Sequence, residues 1–305
     1  MKHLLISIAG AAIAIAACEP AWAQASPSQP VEPVTRLEDL EVRETVAASD
    51  MRRRVDDFVR KTMAPPHGRP LARWGKPVCI GAAYFKPDIA QGIIDQLALR
   101  ILEVGGEVAG PGCTADVLVI GSTDGAATAR QMVGADSFGF RPAGASTDRG
   151  SASLVDFQTG EDAVRWWHVS IPVSVETGEV AIVLHGEEAP TLNVGSLSHL
   201  RTNVRDEIKR VIVILDLPKI PPKVRLEALI DYVAFVVLAQ VDPKADASQS
   251  DSILSLFTAA SPPNGWTAWD VEYLSALYKA DPSLVGMGAQ NRAIASQIMR
   301  QRRSD

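Results

Sequence analysis

The stretch PVCIGAAYFKPDIAQGIIDQLALRILEVGGEVAGPGCTADVLVIGS, residues 77–122, decides the class of fold. Its first apolar run, Lys76 to Tyr84, reads as a strand. Pro87 then suits the first turn of a helix, because its missing N–H has no partner there anyway. Ile89, Ile93, Leu97 and Ile101 recur at helical spacing, and Gly105-Gly106 ends the run. A second apolar run, Asp116 to Ser122, completes a strand–helix–strand unit, whose strands are expected to lie parallel. Val211 to Leu217 is apolar enough to be a third strand covered on both faces. The expected class is therefore α/β or α+β, with a mixed sheet.

The same unit carries two of the three cysteines, Cys79 and Cys113. Parallel neighbouring strands would bring them together. The alternative is a pair of buried thiols. A bridge closing that loop stabilises by about 3–4 kcal/mol on a chain-entropy estimate. No Cys-x-x-Cys is present, so the spacing supports neither a redox motif nor a zinc ribbon.

A bridge needs an oxidising compartment, and the start of the chain supplies an address. Met1-Lys2-His3 is basic, Leu4 to Ala17 is apolar or small, and Ala21-Trp22-Ala23 fits a peptidase site. Residues 1–23 thus read as a secretory leader, with the mature protein in the periplasm or outer envelope. Two processing routes fit. Cleavage after Ala23 releases a soluble chain, whereas Ile15-Ala16-Ala17-Cys18 resembles a lipobox that would leave a lipid on Cys18. The only expected membrane contact is that lipid. Gln24 to Pro33 is rich in Pro and Ser, and 24–47 is taken as a flexible linker. Residues 48–305 are then one globular domain, opened by a helix capped at Ser49 with a stripe of Met51, Val55, Phe58, Val59 and Met63.

In the middle of the chain, 134–160 is rich in Gly and Ser and reads as loop. Arg165 to Val175, the turn Glu176-Thr177-Gly178-Glu179, and Val180 to His185 read as a β-hairpin. A turn centred on Thr177-Gly178 pairs Ser170 with His185 and His168 with Glu187. Trp167, Val169, Ile171 and Val173 then face the core, with Trp166, His168 and Ser170 opposite. Two imidazoles and a carboxylate within reach suit Zn²⁺ with one position open for water. His168, His185 and Glu187 are therefore the metal candidates, set against a solvated polar face. A one-residue slip of register would scatter them. Arg201 to Arg210 reads as a polar helix, and Leu226 to Val241 as a buried one. Two helices follow, Ala268 to Lys279 and Ala289 to Arg302, the first with a capping box at Thr267 and Asp270.

Weaker constellations have ordinary readings. Gly121-Ser122-Thr123-Asp124-Gly125 looks like a nucleophile elbow but is better read as a βα turn capped by Ser or Thr. Asp242, Asp246, Ser248, Ser250 and Asp251 form an oxygen-rich loop without EF-hand spacing. Arg141 and Arg149 flank a segment able to clamp an anion or to lie on the surface. A net charge of −6, without a basic stripe, argues against nucleic acid. No Walker A, Gly-x-Gly-x-x-Gly, Gly-x-Ser-x-Gly or His-Glu-x-x-His motif occurs.

From Arg210 onward the order is strand Val211 to Leu217, a helix ending Leu238-Ala239-Gln240, Thr267-x-x-Asp270, Ala276-Leu277-Tyr278 and Gly286-Met287. This third of the chain resembles a zincin-like family of unknown function found among exported bacterial proteins. In that family the helix carries a His-Glu pair just before its Leu-Ala-Gln-like end. Here those positions are Phe235 and Val236, which neither bind metal nor act as a base. The resemblance implies a zincin-like shell whose catalytic helix has become core. The chain as a whole resembles uncharacterised exported proteins of Gram-negative bacteria, through Leu71-Ala72-Arg73-Trp74 and Arg165-Trp166-Trp167-His168. That second resemblance implies no activity.

Together these readings lead to an exported, non-catalytic envelope or periplasmic protein with a binding or assembly role, its partner an envelope protein or a small ligand. The alternative is a metal-dependent hydrolase using His168, His185 and Glu187.

Overall fold

The computed structural model describes residues 37–143, 147–189 and 202–304. The leader 1–23, Cys18 and the first part of the 24–47 segment lie outside them. The chain divides into two compact units, Met1–Val42 and Arg43–Asp305. Of the first, the described residues belong to helix α1 (Leu37–Thr62). The linker expected up to residue 47 is thus helical from Leu37. The segment Leu37 to Ala47 has no Pro or Gly and is rich in Leu, Glu and Arg, all good helix formers. Ser49 is no cap; it lies inside the helix, and its hydroxyl donates to the Val46 carbonyl at 2.8 Å.

The second unit is built on a four-stranded mixed sheet in the order β1-β2-β4-β3. These are β1 (Ile80–Ala83), β2 (Val117–Ser122), β3 (Val164–Ser174) and β4 (Val204–Asp216). The strand–helix–strand unit forms as expected: α2 (Pro87–Glu103) joins β1 to its parallel neighbour β2, with Ile80 opposite Val117. Ile93, Leu97 and Ile101 are buried. That register sets Cys79 opposite Asp116, whose N–H donates to the Cys79 carbonyl, and the turn just before β2 brings Cys113 to Cys79, with which it forms a disulfide with Cα atoms 5.9 Å apart. Removing the bridge in a Cys79→Ala/Cys113→Ala variant is expected to lower stability by about 3–4 kcal/mol, read from denaturant melts with and without reductant. Equal midpoints for both proteins under oxidising conditions would refute it.

Helices cover both faces. Core residues of β2, β3 and β4 on one face, including Val117, Trp166, Val211 and Val213, pack with α1, α2, α6 (Leu226–Leu238), α7 (Ala268–Lys279) and α8 (Met287–Ser304). The other face is thinner. Ile120, Trp167, Val169, Ile212 and Ile214 meet Ala129 of α3 (Gly125–Ala135), Phe140 of α4 (Ser137–Phe140) and Phe157 of α5 (Ser151–Thr159). The segment read as loop from 134 to 160 therefore contains two short helices, and Phe140 and Phe157 hold them to the sheet.

The largest departure lies in the strand pairing. β3 does not fold back on Val180 to His185. It pairs antiparallel with β4, Val164 opposite Leu215 and Trp167 opposite Ile212. The expected return strand survives only as a bridge of Val173 to Val180. The expected polar helix from Arg201 to Arg210 is the first half of β4, from Val204 onward. Its residues alternate in burial, with Asp206 and Ile208 in and Lys209 out. A strand whose neighbours bury alternate residues outweighs the helix propensity of Arg, Glu and Lys.

Helix α6 is the centre of the larger layer, and Leu229 to Ala239 are all buried. Its last carbonyls have no partner within the helix. Side chains from three separate elements supply them. His168 Nε2 lies 2.7 Å from the Val236 oxygen, Trp74 Nε1 donates to Val237 at 2.9 Å, and the Tyr278 hydroxyl donates to Leu238 at 3.2 Å. Arg73 does the same for α7, donating to the carbonyls of Leu277, Tyr278 and Ala280. The two tryptophan-bearing segments singled out in the sequence are thus helix-capping devices.

Candidate functional site

β3 is one of the two edge strands of the sheet, and its outer edge leads to the site. Backbone groups of successive residues in a strand point alternately toward and away from the neighbour. The Asp216 N–H donates to the Ala163 carbonyl at 2.8 Å, so Arg165, Trp167 and Val169 bond to β4. Trp166 and His168 turn their N–H and C=O groups off the open edge. Beyond the register shift between Val169 and Ser170, the edge is covered. The Ser170 N–H donates to Thr147, the Pro172 carbonyl accepts from Ala181, and the Ser174 N–H donates to Glu179. Among the described residues nothing bonds to the outward backbone groups of Trp166 and His168.

Trp166 and His168 line a cavity of about 130 Å³, walled by Arg149, by Ser153, Asp156 and Phe157 of α5, by Asp162, and by Pro243 and Lys244 after α6. Two ion pairs brace the wall: Arg149 to Asp242 at 2.8 Å and Lys244 to Asp156 at 2.6 Å. Arg165 is buried and holds the end of α5, donating to the carbonyls of Phe157 at 3.0 Å and Gly160 at 2.7 Å. Its Nε has no hydrogen-bond partner among the described residues.

His168 is the titratable centre. A carbonyl oxygen only accepts, so Nε2 carries the hydrogen donated to Val236, and Nδ1 keeps a lone pair. Burial pushes the imidazole down to about 4; the bond to Val236 opposes that shift and the nearby Arg149 adds to it. The ring is neutral at physiological pH, with Nδ1 an acceptor to which no described residue donates.

The three expected metal ligands are not brought together. His168 points toward α6. His185 stacks on Phe138, ring centroids 3.6 Å apart, and its N–H donates to the Pro142 carbonyl. Phe138 belongs to the short helix whose Phe140 packs on the opposite face of the sheet. Glu187 is exposed. No group of three His, Cys, Asp or Glu among the described residues is arranged to hold a metal ion. The physical reason is that the return segment pairs with β3 only beside the turn, at Val180 and Ala181, and that the face expected to be wet is covered by α6.

The other constellations resolve into structure. Asp124, rather than Ser or Thr, caps α3, accepting from the Ala127 N–H at 2.8 Å. Ser122 accepts from the Asp124 N–H at 3.0 Å, as in an ordinary βα turn. Arg141 pairs with Asp148 and Arg149 with Asp242, so the expected anion clamp is two separate ion pairs. In the oxygen-rich loop, Asp242 also accepts from the Lys244 N–H, and Asp246 accepts from Ser248. Sequence reasoning found His168 but missed Ser153, Asp156 and Lys244. No local pattern signals them; they meet because α5 and the end of α6 flank the same edge.

Comparisons with protein families, with curated proteins and with solved structures find no match to this chain.

Proposed function

We propose that this is an exported envelope protein that binds a small polar ligand at the open edge of β3 and carries out no chemistry on it. One observation carries the reading. Trp166 and His168 line one cavity, and among the described residues nothing bonds to their outward backbone groups or to His168 Nδ1. Arg165 lines the same cavity with a buried Nε that has no partner among the described residues, and buried polar groups are nearly always satisfied, by protein, water or ligand. A pKa of about 4 leaves His168 a weak base at neutral pH, suited to accepting a hydrogen bond and poorly suited to moving a proton. The leader pattern and the Cys79–Cys113 bridge support export to an oxidising compartment.

The test has two arms. With ¹⁵N-labelled histidine, acetamide, acetate and glycerol are titrated while the ring nitrogens of His168 and His185 are followed by NMR. A saturable shift at His168 that spares His185 is expected for at least one probe; no shift at His168 from any of them would sink the binding reading. Export predicts a mature N-terminus of Gln24 or acylated Cys18 by mass spectrometry. Retention of Met1 in the native host would refute it.

A further inference from the structure

We infer that two copies of this chain associate by pairing the outer edges of their β1 strands, antiparallel, about a two-fold axis at Gly81. β1 is the other edge strand of the sheet, and its bonds to β2 fix which residues face out. Ile80 lies opposite Val117, and the Val117 N–H donates to the Cys79 carbonyl at 2.9 Å. Cys79, Gly81 and Ala83 therefore turn toward β2, and Ile80 and Ala82 turn their N–H and C=O groups off the edge. Among the described residues nothing bonds to those groups. Val78, the preceding outward residue, is covered: its N–H donates to Glu107 and its carbonyl accepts from Ala109.

This open window is complementary to itself. In an antiparallel pair, two residues that face one another across the edge exchange both their bonds. Ile80 of one copy then meets Ala82 of the other, Ala82 meets Ile80, and the axis passes between the two Gly81 residues. A glycine inside a strand lets another backbone come close. Beyond Ala83 a straight partner strand would run into the segment that covers Val78. Tyr84 averts this: its φ is 62°, left-handed for a bulky residue, and it takes the chain out of the strand at that point.

Charge does not oppose contact between these identical surfaces. A two-fold interface sets the same patch of each copy against the other, and like charges facing across a strand pair are destabilising. Residues 77–85, PVCIGAAYF, carry no charge and lack the lysines that guard many edge strands. Helix α2 extends the uncharged strip. Gln96 and Arg100 reach Asp231 of α6, and α6 lies toward β3, where His168 bonds to Val236. Ile94, Ala98 and Leu102, spaced i, i+4, i+8, lie on the opposite side of α2, toward the β1 edge. Leu102 is 55% exposed and Tyr84 84%, which is the apolar surface that association buries. The two sheets join into one with β3 at both ends, so the open edge beside His168 stays free.

The test is sedimentation velocity on the full mature protein over a wide range of concentration, where a reversible monomer–dimer equilibrium is expected. Ala82→Pro removes an N–H that β2 does not use, a change an edge strand tolerates, and is expected to weaken dimerisation by about tenfold or more. Leu102→Lys sets a cation on an exposed part of the strip and is expected to act in the same direction. Circular dichroism checks that both variants are folded; should Ala82→Pro unfold, Leu102→Lys and hydrogen exchange decide. The amides of Ile80 and Ala82 are expected to be protected at dimer concentrations and to exchange freely on dilution. A protein monomeric at every concentration, alone or with a different protein bound, overturns the inference. So does a dimer that folded Ala82→Pro leaves intact, or one whose Ile80 and Ala82 amides exchange freely.

Discussion

Replacing Phe235 by His and Val236 by Glu, which introduces a metal-binding His-Glu pair, is expected to abolish folding of this chain. Both side chains are fully buried in α6. The Phe235 ring stacks on Tyr273 and meets the edge of Phe58, each at 6.2 Å. Shrinking it creates a void and introduces ring nitrogens without partners, for about 3–5 kcal/mol. A glutamate at 236 either buries an unpaired charge or is forced neutral, for several kcal/mol more. The total reaches the 5–15 kcal/mol that holds a typical domain together. Far-UV circular dichroism and thermal melts, with and without added zinc, check this. A folded double variant that takes up one zinc per chain would overturn the assignment of α6 to the core.

The second large effect is a loss of stability in mild acid that belongs to His168. Its pKa is about 4 in the folded protein and about 6.5 in an unfolded chain. The unfolded state therefore binds the proton first. Stability is intact above pH 6.5, falls as the pH drops toward 4, and loses no more from this group below that. The full difference is about 3 kcal/mol. Asp206 and Asp270, raised by burial, act in the opposite sense in the same acid range, so the wild-type curve alone is not diagnostic. His168→Gln does not titrate and offers an amide N–H to the Val236 carbonyl. The stability gap between wild type and His168→Gln, from urea melts, should shift by about 3 kcal/mol in favour of the variant between pH 7 and pH 4. A gap independent of pH would refute a neutral, buried His168.

The parts of the fold that were legible in the sequence are those in which a local pattern and its burial agree. The stripe of Ile93, Leu97 and Ile101, the Pro87 start, and the Thr267–Asp270 capping box all form where the spacing predicts. The parts that failed are those decided by a distant partner. Residues 201–210 have the composition of a helix, yet β4 gains hydrogen bonds from both β2 and β3, which no window of ten residues contains. Val180 to His185 looks like a return strand, but only its start reaches the outer edge of β3, Val180 bridging to Val173 and the Ala181 N–H donating to Pro172, while His185 stacks on Phe138.

The candidate site shows the same division. His168 stood out because an imidazole alternates with two tryptophans, but its role could not be read from that alternation. Its Nε2 is committed to Val236, which lies 68 positions along the chain. That bond sets the tautomer and leaves Nδ1 as the acceptor. The wall residues Ser153 and Lys244 carry no signal of their own.

By itself, then, the sequence determined the parallel strand–helix–strand unit, which follows from apolar spacing, and placed Cys79 and Cys113 at neighbouring ends of its strands; the structure decided that they form a bridge rather than two buried thiols. It also determined that Phe235 and Val236 belong to a core, since apolar side chains on every side of a helix leave it no solvent face. Only the tertiary structure decided which strand lies beside β3 and therefore which of its edges stays open. Strand pairing depends on contacts between residues dozens of positions apart, and the polar groups of an edge strand are free or bonded according to what else reaches them.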